Sequence, residues 1–191
     1  MPTYQVGYFV GSLSSTSINR ILSKALIMVA PGDLEFTEIP IGNLPLYSPD
    51  YDSDFPPEAM ELKRAISASD AVLFVTPEYN RSIPGALKNA IDWASRPWGQ
   101  NSFDHIPAAV IGASIGQIGT ALAQQSLRAV LTFCNARQLT APEAYIRFSP
   151  EVFPGGGQVA DPSTEEFLRG FMAEFRDHVE RVLTVLPRQR D

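Results

Sequence analysis

With 191 residues the chain is long for one small domain and short for two, so one domain over 1–186 with a tail at 187–191 is expected. Hydrophobic residues make up 45%, enough for a full core, and a net charge of −6 without a basic stripe argues against nucleic acid as the main partner. No run approaches the roughly 18 apolar residues of a membrane span, and no basic stretch followed by an apolar one opens the chain. The single cysteine, Cys134, excludes an internal disulfide and fits a reducing cytoplasm.

Tyr4–Val10 reads as strand 1 and Ile18–Val29 as an amphipathic helix 1. After the Pro31-Gly32-Asp33 turn, residues 34–39 alternate as a half-exposed edge strand 2. A long loop at 42–57 precedes helix 2 at 58–69. Ala71–Val75 is uniformly apolar, as a buried central strand 3 would be. Helix 3 begins at Pro84-Gly85 and ends near Arg96-Pro97. Strand 4 is expected at 108–112, helix 4 at 120–136 and a short strand 5 near 138–140. A proline- and glycine-rich loop at 149–162 leads to helix 5, which should start on the capping pattern Ser163-Thr164-Glu165-Glu166 and run to about 186. Strands alternating with helices in this way predict an α/β, doubly wound, five-stranded parallel sheet of order 2-1-3-4-5. Its switch point lies between strands 1 and 3, where ligands bind beyond the strand carboxyl ends.

Two loops at that switch point carry the chemistry. Gly11-Ser12-Leu13-Ser14-Ser15-Thr16-Ser17-Ile18-Asn19-Arg20 is a hydroxyl-rich loop entering helix 1, a pattern suited to cradling one phosphate with backbone N–H groups and hydroxyls. It has neither the Walker A spacing nor the dinucleotide GxGxxG fingerprint, so a mononucleotide fits it better than ATP or a dinucleotide. The second is Thr76-Pro77-Glu78-Tyr79-Asn80-Arg81-Ser82-Ile83-Pro84-Gly85, stiffened by two prolines and leading into helix 3, whose main-chain donors suit a planar, polar-edged ligand.

Together these segments resemble the NADPH-dependent FMN reductase family, the flavodoxin-like quinone, chromate and azo-dye reductases. The third segment, Ser114-Ile115-Gly116-Gln117-Ile118-Gly119, is similar to the family's loop after strand 4. The resemblance implies FMN as cofactor, with Ser12, Ser14, Ser17, Ile18 and Asn19 around the phosphate. It implies Pro77, Glu78, Tyr79, Asn80, Ser82 and Gly85 along the ribityl chain and ring edge, and Ser114 and Gly116 on the opposite side. The family loop carries arginine where Ser14 stands, a departure that bears on FMN affinity rather than identity; Arg20 is the candidate replacement. NADPH or NADH would be the electron donor, and quinones, chromate, azo dyes or free flavin the acceptors. No protein residue is assigned as catalytic, since the hydride chemistry belongs to the flavin. A flavodoxin-like carrier delivering electrons to a protein partner is the competing class. Family members form dimers or tetramers, and Ala86, Leu87, Ala90, Ile91 and Ala94 on helix 3 exceed one core face, with Trp93 and Trp98 at its end.

Other patterns carry less. Asp50, Asp52, Asp54 and Glu61 mimic calcium-loop spacing, but Phe55 takes the glycine position and two prolines follow. His105 and His178 lack metal-ligand partners in sequence, so no metal is expected. Cys134 reads as a buried small hydrophobe. No Gly-x-Ser-x-Gly elbow supports a hydrolase.

Overall fold

The computed structural model describes residues 3–188; Met1, Pro2 and residues 189–191 of the expected tail lie outside them. β1 (Tyr4–Val10), β3 (Ala71–Val75) and β4 (Pro107–Ser114) form the centre of a parallel sheet, with β2 (Leu34–Glu38) on the outer side of β1. Val6 to Val10 pair with Ala71 to Val75, and Val72 to Val75 with Ala108 to Ile111. The strand order, β2-β1-β3-β4-β5, is the predicted one.

The fifth position differs from expectation. It is filled by two short strands on the same side of β4: β5 (Arg137–Gln138) pairs with Pro107 and Ala108, and β6 (Tyr145–Arg147) with Gly112 to Ser114. Residues 140–143 connect them, while Leu139, whose N–H still donates to the Ala108 carbonyl at 2.8 Å, and Ala144 stay buried in the core. Three residues are too few to show a period, so β6 was not legible in the sequence.

The helices are α1 (Ile18–Val29), α2 (Pro57–Ser67), α3 (Gly85–Ala94), α4 (Ala121–Phe133) and α5 (Pro162–Val185). Side chains alternate across the fully buried β3. Ala71, Leu73 and Val75 meet Leu22, Leu26, Phe171 and Phe175 of α1 and α5. Val72 and Phe74 meet Leu62, Ile66, Leu87, Ile91 and Leu127 of α2, α3 and α4. Phe9 and Phe74, neighbours in register, stack with ring centroids 4.8 Å apart.

The cap of α5 also differs from expectation. Asp161, not Ser163, is the N-cap. Its carboxylate accepts from the Thr164 N–H at 2.8 Å and from the hydroxyls of Ser163 and Thr164 at 2.7 and 2.6 Å. A carboxylate one position before Pro162 is the better acceptor, because proline at the first helical position has no N–H to satisfy.

Candidate functional site

Gly11 leaves the sheet by donating its N–H to Val75 at 2.9 Å, and the chain folds back into α1 with Ser17 as N-cap. Ser12 and Ser17 are buried, Ser14 exposed. The Ser12 hydroxyl accepts from the Ser14 N–H at 3.3 Å, and the Ser17 hydroxyl from the Arg20 N–H at 3.2 Å. Each of these two hydroxyls is fixed as an acceptor and keeps its proton to donate. Ser14 Oγ accepts from the Thr16 N–H at 3.2 Å. Ile18 and Asn19 stand at the first two helical positions, where a main-chain N–H has no partner within the helix. The Ile18 side chain packs on the α1–α5 core.

Two side chains of this segment are committed elsewhere. Asn19, 1% exposed, grips β4: its Nδ2 donates to the Ala113 carbonyl and its Oδ1 accepts from the Ala113 N–H, both at 2.9 Å. Only its main-chain N–H faces a prospective anion. Arg20 does not replace the missing arginine, because its Nη1 donates to both oxygens of Glu38 at 2.8 and 2.7 Å, and the Tyr8 hydroxyl donates to the same carboxylate at 3.3 Å. Burial, then Glu38, pushes the Tyr8 pKa up. The phosphate-type loop is therefore built from neutral donors.

The Thr76–Gly85 segment contains a tight hairpin. Tyr79 and Ser82 exchange N–H···O bonds at 3.0 Å in both directions, with Asn80 and Arg81 between them at φ 51° and 65°. Positive φ at both central residues is the type I′ pattern, which suits Asn and strains Arg. Pro77 is buried, whereas Tyr79, Asn80 and Ser82 are exposed. Glu78 turns inward, its side chain 8% exposed, and accepts from the N–H groups of Leu122 and Ala123 at 3.0 and 3.1 Å. Gly85 opens α3 in the open, where an added Cβ would meet nothing within 4 Å. Its cap, Pro84, offers no side-chain acceptor, and the first return bond is Lys88 N–H to Pro84 O at 3.0 Å.

On the far side, Ser114 stitches its own loop: its hydroxyl donates to the Gly119 carbonyl at 2.7 Å and accepts from the Gly116 N–H at 3.1 Å. Gly116 is exposed among exposed Ile115, Gln117 and Ile118. Gly119 is required as glycine, since it has φ +58° and a Cβ there would lie 2.8 Å from the Tyr145 carbonyl carbon.

The helices that follow β1, β3 and β4, namely α1, α3 and α4, thus start at the carboxyl ends of those strands, each with a partial positive charge at its start. That of α4 is answered by Glu78; those of α1 and α3 remain open between the ends of β1 and β3. No local pattern points to the Glu78 target, 44 residues away, or to Glu38 as the sink for Arg20.

The remaining candidates lie apart. Asp50 sits in a 3₁₀ turn accepting from Ser48, and Asp52 accepts from the Tyr47 hydroxyl at 3.0 Å. His178 on α5 bonds the Arg137 carbonyl through Nε2 at 2.7 Å, and burial pushes its pKa down. Cys134 caps α4, 4% exposed, with its pKa raised by burial. A cavity of about 700 Å³ lined by Phe55, Lys63, Pro97 and Arg188 lies toward the carboxyl ends of α2 and α3, away from the strand carboxyl ends. There the Lys63 ammonium donates to the carbonyls of Ala94, Arg96 and Gln100 at 3.1, 2.7 and 2.6 Å, although burial pushes its pKa down to about 8. The apolar surplus expected on α3 is consumed internally. Leu87, Ala90, Ile91, Trp93 and Ala94 are buried in the core and Ala86 packs half-buried against it, while Trp98 beyond the helix is 77% exposed.

Residues 4–151 match the family model of NADPH-dependent FMN reductases. A 2-hydroxy-1,4-benzoquinone reductase from Burkholderia sp. is 46% identical over 171 residues, covering 90% of this chain and 93% of its own. A quinone reductase from Pseudomonas putida is 43% identical over 178 residues, covering 93% and 95%. Among solved structures, the flavoenzyme NAD(P)H:(acceptor) oxidoreductase FerB from Paracoccus denitrificans superposes with a TM-score of 0.91 at 48% identity, covering 94% of this chain and 98% of that one.

Proposed function

Since the chain belongs to the NADPH-dependent FMN reductase family, we propose that it uses FMN to carry hydride from NAD(P)H to quinones or similar small acceptors. The observation that carries this reading is the pair of open helix starts, α1 and α3, at the ends of β1 and β3. The α1 start would take the phosphate through the N–H groups of Ile18 and Asn19 and the hydroxyl protons of Ser12 and Ser17, with Ser14 at the rim. The α3 start, with the main chain of Pro77 to Ser82, would lie along the ring edge, where its partial positive charge would favour negative charge on the flavin. Gly85 leaves room for close approach, and the Ser114–Gly116 backbone closes the other side.

When bound, FMN would supply the hydride chemistry itself, and the loops of the chain would bind and orient it. These three loops contain no histidine or cysteine, which suits a reaction in which reductant and acceptor use one face of the flavin in turn without a protein acid or base. Relatives named quinone reductases support the acceptor class and favour an enzyme over an electron carrier. A cytoplasmic setting is part of the same reading, in keeping with the single, buried and unpaired Cys134. A homodimer, or a homotetramer built from it, is part of the same reading. Its support is not the apolar side of α3 but the exposed Trp98 and Phe133 beside the α3–α4 groove.

The direct test is the absorbance spectrum of the purified protein followed by anaerobic addition of NADPH or NADH. A bound flavin that bleaches and returns when a quinone is added is the expected result. Protein that takes up no flavin, or flavin that NAD(P)H leaves oxidised, would refute the reading.

A further inference from the structure

The two loops that flank the proposed flavin cleft come from different strands, and one carboxylate joins them. We propose that Glu78 is the positioning residue that sets the spacing between these two walls, an inference that rests on the FMN reading above. Its main chain belongs to the Thr76–Gly85 wall. Its carboxylate reaches α4, which begins where the Ser114–Gly119 wall ends. Oε2 accepts from the N–H groups of Leu122 and Ala123, and Oε1 accepts from Arg81 Nη1 at 3.2 Å.

Among the described residues, no other side chain is seen accepting from the first-turn N–H groups of α4. Thr120, its N-cap, makes no side-chain cap bond; its hydroxyl oxygen accepts instead from Gln124 Nε2 at 3.0 Å. The helix start thus depends on an acceptor delivered from the opposite wall. A carboxylate only 8% exposed must be matched by hydrogen bonds to remain charged there. The charge-assisted bonds to two amides supply that match, at the end of α4 where a negative charge is favoured. On its other oxygen the same group holds Arg81, which occupies the second φ-positive position of the Tyr79–Ser82 turn at φ 65°. One side chain therefore ties the exposed turn, its own loop and the far wall into a single unit. It also answers the positive end of α4 with a negative charge delivered from the opposite wall.

The test uses Glu78→Ala and Leu122→Pro in the full chain. The second variant removes one amide donor from the far side, at a first-turn position where proline is tolerated, and leaves the Pro77–Ser82 loop untouched. Three quantities are read: hydrogen exchange at the Leu122 and Ala123 amides of the flavin-free protein (Ala123 alone in Leu122→Pro), the dissociation constant of FMN, and the spectrum of the bound flavin. Glu78→Ala should quicken exchange and raise the FMN dissociation constant about tenfold or more, with the spectrum moving toward that of free FMN. Leu122→Pro should raise it severalfold. Quickened exchange in either folded variant with an unchanged dissociation constant and spectrum would make Glu78 a helix cap only and overturn the proposal. A wild-type protein that binds no FMN would instead overturn the cofactor reading itself.

Discussion

Asn19 separates a structural role from a ligand role more sharply than any other residue of the phosphate-type loop. The resemblance implies a phosphate neighbour, yet both ends of its side-chain amide are bonded to Ala113 in the buried end of β4. Asn19→Ala leaves one N–H and one C=O unmatched, each at about 1–3 kcal/mol. Partial rehydration relieves some of this, so a loss of about 3 kcal/mol is expected, a substantial part of a stability of roughly 5–15 kcal/mol. For a chain of this size that corresponds to a melting temperature lower by about 6–12 °C. Asn19→Asp should be nearly as damaging, because its second oxygen faces the Ala113 carbonyl. The measurement is urea unfolding of the flavin-free protein, repeated at saturating FMN. If the side chain is only a clasp, FMN adds the same increment to wild type and variant at equal saturation. A loss below about 1 kcal/mol in the flavin-free protein would refute the clasp. A smaller FMN increment in the variant would show that the side chain also holds the phosphate.

Replacing Ser12 and Ser17 together with alanine should weaken FMN binding by about 1–3 kcal/mol, whereas Ser14→Arg should tighten it, since Arg20 is held by Glu38; fluorescence titration of FMN reads both. His178 has a folded pKa below its ordinary value of about 6.5. The unfolded chain therefore takes up the proton first as pH falls, and stability present above pH about 6.5 is lost below it. His178→Gln should flatten that part of the stability–pH curve; an unchanged slope would refute the assignment. Trp98→Glu with Phe133→Glu should shift the protein toward monomer in light scattering, with turnover falling alongside; a wild-type monomer of full activity would remove the interface.

Periodicity and turn chemistry were enough to read most of this architecture. β1, α1 and β3 were legible to the residue because each has a strong local pattern and a glycine, proline or serine boundary. The strand order followed from alternating strands and helices, and the candidate site was proposed from where two unusual loops fall in that order. What tertiary structure decided was the destination of side chains. In sequence, Asn19, Arg20, Glu78 and Ser114 are all polar residues in or beside ligand-type loops. Only the folded chain shows that Asn19 grips Ala113, Arg20 answers Glu38, Glu78 caps α4 and Ser114 pins its own loop. The apolar residues of α3 were equally ambiguous between core and interface until the packing of α2 and β3 against them accounted for each. Local patterns are set by backbone geometry within a few residues. The partner of a long polar side chain is set by which loops the sheet brings together, and that depends on residues tens of positions away.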